Sequence, residues 1–205
     1  EVSVGIIGTA GYVMPKVLAS YQREHPGIHL DLMMGNRNNI WDAILEGNID
    51  IGIMGTPPED TNIQSEVIGT HRLIFVAHPN HPLCQLDREL TPKELIKHQL
   101  IAREVGSGTR LAMAAYFGAL FHQATRPPIV LDTNEGIKQS ILAGIGISLL
   151  SDATCELELN HGLLKTLPVE GTPLDRQWYA VRLANLERNP AEQSLLRFLA
   201  MQAER

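Results

Sequence analysis

The stretch VSVGIIGTAGYVMPKVLASYQREHPGIHLDLMM, residues 2–34, decides how the rest of the chain is read. It opens on VSVGII, an apolar run of strand length. Small residues follow, and then Val13, Val17, Leu18 and Tyr21 fall on one face of a helix. Thr9 is placed to cap that helix, and His25-Pro26-Gly27 to stop it. IHLDLMM then alternates like a strand. The same unit recurs at once. In GNRNNIWDAILEGN, residues Ile40, Ala43 and Ile44 share a helical stripe with Trp41 at its edge, Gly47 ends it, and IDIGIMG is a third strand. The order β-α-β-α-β with short connections predicts a parallel sheet with right-handed crossovers.

Beyond it, TPPEDTN reads as a surface turn, and residues 63–67 and 73–77 as two strands. HPNHPLCQLDRELTPKEL, rich in proline and polar residues, reads as a linker. The alternation then restarts. HQLIA is a strand, residues 109–122 a helix, and PIVLDT a strand. NEGIKQSILAG is a helix capped by Asn134, IGISLL a strand, and SDATCELELNHG a helix. LLKTLPV and RQWYAVRL are further strands, and NPAEQSLLRFLAMQAER is a closing amphipathic helix. Two β/α units of similar size result, joined around residues 73–81, with a return near Trp178. A two-lobed α/β molecule with a ligand cleft at the crossing is expected.

The 205 residues, 44% hydrophobic and 20% charged, describe an ordinary globular protein. The longest apolar run, ILAGIGISLL, is broken by two glycines and falls short of the roughly 18 residues of a membrane span. A net charge of -6 argues against a nucleic-acid grip by this piece, which needs a basic face. Cys84 and Cys155 show neither CxxC nor metal spacing and read as reduced structural thiols. The chain opens at Glu1 directly into the apolar run, as a fragment of a longer protein or a processed product does.

Four strand-to-helix junctions have the small, polar character of a ligand cradle: residues 8–11, 35–38, 106–110 and 133–135. Backbone N–H groups are unsatisfied at a helix start and the dipole there favours an anion. Thr9, Asn36 and Asn134 serve equally well as plain N-caps. GSGTR, residues 106–110, lacks the GxxxxGK[ST] pattern of a P-loop. Gly144-x-Gly146 follows a helix and precedes a strand, the reverse of a dinucleotide fingerprint, and fits a helix C-cap. Arg103 and Arg110 flank the GSGT loop. A guanidinium grips carboxylate or phosphate bidentately; Arg103 beside Glu104 is equally a plain ion pair. His78 and His81 have near-metal spacing but sit in a turn with no third ligand. No GxSxG elbow and no acid/base pair can be assigned.

The start VSVGIIGTAGYVMPKVLASYQREHPGIHLDL, with GNRNNIWDAILEGNIDIGIMG and NEGIKQSILAGIGISLLS, resembles the effector-binding domain of LysR-type bacterial transcriptional regulators along essentially the whole chain. Within that family, IMGTPPED, REVGSGTR followed by LAMAAYF, and RQWYAVR are most similar to the regulators of Calvin-cycle carbon-fixation (rubisco) operons. The resemblance implies two Rossmann-like lobes of periplasmic-binding-protein type II, joined by two crossover strands. Lobe I comprises residues 1–74 plus 177–205 and lobe II residues 75–176. A winged helix-turn-helix that reads DNA precedes Glu1.

By the same resemblance, a small phosphorylated or otherwise acidic effector is held between the lobes by Thr9, Ala10, Asn36, Met54, Gly55, Ser107, Thr109 and Asn134, which suits Arg103 and Arg110. Its binding alters transcription allosterically, without catalysis, cofactor or metal. The implied setting is cytoplasmic, with no membrane partner: a homodimer in this domain, through residues 12–24 or 40–46, and a tetramer in the full-length protein. Two rival readings are a mature periplasmic solute-binding protein and a cleft enzyme such as a dehydratase.

Overall fold

The computed structural model of the chain describes residues 1–59, 62–185 and 189–202, so Asp60 and Thr61 of the expected turn and the last three residues of the closing helix lie outside the described residues. The chain divides into two compact units. Unit 1 comprises residues 1–71 and 176–205, unit 2 residues 72–175.

Unit 1 begins with β1 (Val2–Ile7), α1 (Met14–Glu24), β2 (Leu30–Gly35), α2 (Arg37–Leu45) and β3 (Ile51–Met54). β1 pairs parallel to β2 on one side and to β3 on the other, as the alternation of periods predicted. Ser3 ties the sheet to the loop before β3: its backbone N–H and its hydroxyl both donate to Asp50 Oδ2, at 2.8 and 2.7 Å. Ile40, Ala43 and Ile44 of α2 are buried against Ile49, Met54 and Val181. Gly52 makes that approach possible. A Cβ there would stand 2.6 Å from Ile44 Cδ1, so a side chain at this position would force Ile44 and its neighbours to repack.

α1 starts later than expected. Thr9 makes no capping hydrogen bond; a short 3₁₀ turn, Ala10–Tyr12, comes first, and Pro15 in the first turn of α1 sets the helix start. Proline's fixed φ and missing N–H suit that position.

The two strands expected at residues 63–67 and 73–77 are one strand, β4 (Ile63–Ala77), and the chain passes from unit 1 to unit 2 inside it, at His71–Arg72. Gly69–Arg72 carries a glycine and polar residues that read as a break in sequence but is spanned by continuous strand backbone. The return is β9 (Leu174–Leu183), which crosses at Asp175–Arg176 and pairs antiparallel with β3. α7 (Pro190–Gln202) closes unit 1, its Phe198 ring 5.3 Å from that of Tyr21 on α1.

The expected linker is core instead. Residues 78–95 fold into a 3₁₀ turn, Pro82–Gln85, and α3 (Pro92–Leu95), and bury Leu83, Cys84, Leu90 and Leu95. Their apolar residues are too widely spaced to show a period, yet all but the exposed Leu86 join one cluster.

Unit 2 continues with β5 (Ile101–Arg103), α4 (Gly108–Phe117), β6 (Ile129–Leu131), α5 (Asn134–Leu142), β7 (Ser148–Ser151), α6 (Asp152–Asn160) and the short β8 (Lys165–Thr166). The helix expected over residues 109–122 ends at Phe117, because Gly118 turns the backbone to φ +52° and a 3₁₀ segment follows. The strand alternation sorts the core into two layers. Leu73, Phe75, Ala102 and Leu149 join Met113 and Phe117 of α4. Ile74, Val76, Ile101 and Leu150 join Ile137 and Ile141 of α5 with Cys155 of α6. Successive strand residues face opposite ways, so helices cover both faces. Gly144, at φ +77°, terminates α5 as the C-cap reading expected.

Candidate functional site: an amide-rich corner in unit 2

The parallel pair β5–β6 brings Arg103 opposite Leu131, at the carboxyl ends of both strands. From those ends the chain turns into α4 and α5. Two helix N-termini therefore open from one strand edge, where ligands of α/β sheets sit. Each start presents backbone N–H groups without helical partners and a partial positive charge of about half a unit.

At the α4 start, Ser107 occupies the cap position but its hydroxyl does not cap the helix. Ser107 and Thr109 are nonetheless buried, at 3% and 7% exposure. Gly106, at φ +96°, makes the turn that a side-chain-bearing residue would resist.

At the α5 start, the cap is Thr133 and not Asn134 as expected: Thr133 Oγ1 accepts the backbone N–H of Gly136 at 3.0 Å. Asn134 is the first helical residue, 5% exposed, and its Oδ1 accepts Nη1 of Arg103 at 2.7 Å. A long-range donor has claimed the oxygen that local capping rules assign to the helix.

Arg103 is buried, at 6% exposure, and heavily engaged. Its Nε and Nη2 form a fork on Glu104, at 2.8 and 3.0 Å, and Nη2 also donates to the Asp132 carbonyl at 3.1 Å. The ion-pair reading of Arg103 and Glu104 is the one the structure shows. Arg110 donates once, from Nη1 to the Arg103 carbonyl at 3.1 Å, and its guanidinium carbon lies 5.6 Å from the Phe121 ring centroid. Sequence reasoning placed Thr133 in a cradle but gave the cap to Asn134, and it did not single out Asp132 or Phe121. The TNEG sequence does offer Thr133 as a cap, but Asn134 competes on equal terms until Arg103 is placed.

In unit 1, Thr9 and Ala10 are buried in the turn after β1. Asn36 caps α2 in a reciprocal pair: its Oδ1 accepts Asn39 N at 3.0 Å while its own N donates to Asn39 Oδ1 at 3.1 Å. Met54 packs fully buried beside Ile40 and Val181, and Gly55 follows it with open space at its Cβ position. The residues singled out by sequence thus fall five to each unit: Thr9, Ala10, Asn36, Met54 and Gly55 in unit 1, and Arg103, Ser107, Thr109, Arg110 and Asn134 in unit 2.

His78 and His81 form a turn, His81 N donating to the His78 carbonyl at 2.8 Å. Among the described residues no group of three His, Cys, Asp or Glu side chains is placed to hold a metal ion, and no helix is long and apolar enough to cross a membrane. Cys84 and Cys155 are buried and unpaired by disulfide.

The chain is 41% identical over 201 residues to the HTH-type transcriptional regulator CbbR of Xanthobacter flavus, covering 97% of this chain and 60% of that protein. It is 35% identical to the RuBisCO operon transcriptional regulator of Acidithiobacillus ferrooxidans, covering 97% of this chain and 64% of that one. It therefore spans less than two thirds of either regulator. Among solved structures, the Synechocystis PCC6803 CcmR regulatory domain in complex with 2-PG matches with a TM-score of 0.86 and 31% identity, over 98% of this chain and 95% of that one. The model of the LysR substrate binding domain matches residues 1–204, and the chain accordingly belongs to that family.

Proposed function

We propose that this chain is the effector-sensing domain of a LysR-type transcriptional regulator of carbon-fixation operons, and that a small phosphorylated acid is its effector. The observation that carries the reading is the corner of unit 2. Two helix starts, two buried hydroxyls and a guanidinium with donors to spare are a set suited to a compact anion. The 2-phosphoglycolate named with the similar CcmR domain is such a molecule.

In this reading Ser107, Thr109, Arg110 and Asn134 bind the anion, and Thr9, Ala10, Asn36, Met54 and Gly55 take part in effector binding as the family resemblance implies. Lobe I corresponds to residues 1–74 plus 177–205 and lobe II to 75–176, a division supported by the compact units that change over at His71–Arg72 and Asp175–Arg176. The domain performs no catalysis; it favours one of two conformations to the extent that the effector binds one more tightly. It acts in the cytoplasm as a homodimer, within a full-length tetramer whose DNA contacts come from a winged helix-turn-helix. That the relatives above are transcription regulators favours this over solute transport or dehydration chemistry.

The test is calorimetric titration of the purified domain with 2-phosphoglycolate, using Ser107→Ala and Thr109→Ala as variants. Losing one hydroxyl donor to a charged ligand weakens binding by roughly ten- to a hundredfold. Unchanged affinity in both variants would remove the corner from the effector site.

A further inference from the structure

Arg103 looks like an effector ligand from its place beside the GSGT loop, but its geometry assigns it another task. We infer that Arg103 is a positioning residue, which locks the Asn134 side chain with its amide nitrogen turned toward the bound anion and does not itself hold that anion. This rests on the anion-sensing reading above and names how that site is kept selective.

The argument begins with the donor inventory. A guanidinium only donates, so the Asn134 atom that meets Arg103 Nη1 at 2.7 Å is the amide oxygen. The Nδ2 end, with two N–H donors, therefore points the other way. Asn134 is 5% exposed, yet its Nδ2 makes no hydrogen bond to any described residue. An amide donor left open there is free to donate to an acceptor that settles at the corner. Asn134 is also the first residue of α5, so that donor stands beside the unsatisfied backbone N–H groups of the helix start.

Arg103 is poorly suited to bind the anion directly. Its Nε and Nη2 fork is spent on the Glu104 carboxylate, which also offsets its charge, and Nη2 reaches the Asp132 carbonyl as well. Bidentate contact with an incoming carboxylate or phosphate needs the fork that Glu104 occupies. Arg103 instead bridges β5 to the β6–α5 turn, gripping Asp132 and Asn134 across 29 and 31 residues of chain. Arg110 is the contrast: one donor on the Arg103 carbonyl, the rest uncommitted.

The two roles separate under substitution. A lysine at 103 keeps the positive charge but cannot serve Glu104, Asp132 and Asn134 together, because it lacks the planar fork. The experiment measures 2-phosphoglycolate affinity by calorimetry for the wild-type domain, Arg103→Lys, Asn134→Ala and the double variant, with urea unfolding of each as the fold control. Arg103→Lys and Asn134→Ala are each expected to weaken binding by roughly ten- to a hundredfold, the worth of one hydrogen bond to a charged group. In the Asn134→Ala background, Arg103→Lys is expected to change affinity less than about threefold, since it acts through a side chain already gone.

Asn134→Asp covers the case in which Arg103→Lys fails to fold. It leaves an oxygen facing Arg103 and hence the bridge intact, but replaces the outward donor with a second carboxylate oxygen. Its unfolding midpoint should hold while anion binding is lost. Wild-type affinity in Arg103→Lys or in Asn134→Asp, or full additivity in the double variant, would overturn the assignment while leaving anion sensing in place. Failure of the wild-type domain to bind 2-phosphoglycolate would instead bring down the reading on which it rests.

Discussion

Replacing Lys138 with methionine should be among the most destabilising single changes in unit 2. Lys138 lies on α5 and its side chain is 6% exposed. Its Nζ lies 2.7 Å from Glu158 Oε1 on α6 and 3.1 Å from Glu135 Oε2. Glu135 is more than half exposed and can turn to water. Glu158 cannot. It is 8% exposed, and its second oxygen, Oε2, is fully buried with no hydrogen-bond partner.

Removing the ammonium therefore strands a buried carboxylate, a loss of about 3–5 kcal/mol. That is a large part of the 5–15 kcal/mol that typically separates folded from unfolded chains. At about 2–4 °C per kcal/mol for a chain of this size, the melting midpoint should fall by roughly 6–20 °C. The assay is thermal unfolding followed by far-UV circular dichroism, with Lys138→Met, Glu158→Leu and the double variant. The double variant buries no charge and should recover most of the loss, since an apolar pair of similar volume replaces an ion pair at little cost. A Lys138→Met midpoint within experimental error of wild type, or a double variant no better than the single, would refute the reasoning.

Two further outcomes follow from the titratable groups of unit 2. Burial, and for each a neighbouring cation (His98 beside His81, Lys97 beside His98), holds the His81 and His98 imidazoles below the ordinary histidine value, and His81 Nδ1 must stay unprotonated to accept the Leu83 N–H at 3.2 Å. Because the folded values lie below the unfolded one, near 6.5, their contribution is complete above that pH and is lost as the pH falls through the folded values. The urea midpoint should drop from pH 7.5 to pH 5, and His98→Asn should shrink the drop; an equal drop in that variant would remove the pair from the account. The Cys155 thiol is pushed up to about 12, by burial first and then by Glu158 beside it, and Cys84 is raised by burial as well. Native protein should react with a thiolate-selective reagent far more slowly at Cys155 than urea-unfolded protein does, and equal rates would show that this core opens freely.

Local periodicity carried most of the architecture. The alternation of residues 2–54 and the helical stripe of Ile40, Ala43 and Ile44 depend on neighbours a few positions away, so β1 to β3 and α1 to α2 could be read directly. The two-unit plan and the polar junctions after β5 and β6 were legible for the same reason. Where a residue's role is set by something distant, reading failed. Thr9 does not cap because Pro15 starts the helix further on. Residues 78–95 look like a linker because their core residues answer to no period, only to the cluster they fill.

The chain's own order of residues therefore determined its α/β class, its family and the amide-rich corner after β5 and β6, since strand ends, helix starts and glycine turns are written in short range. Tertiary structure alone decided which of the two flanking arginines is spent internally. Glu104, Asp132 and Asn134 converge on Arg103 only after β5 and β6 have paired, and that pairing turns a guanidinium that could have gripped a ligand into the one that aims its neighbour.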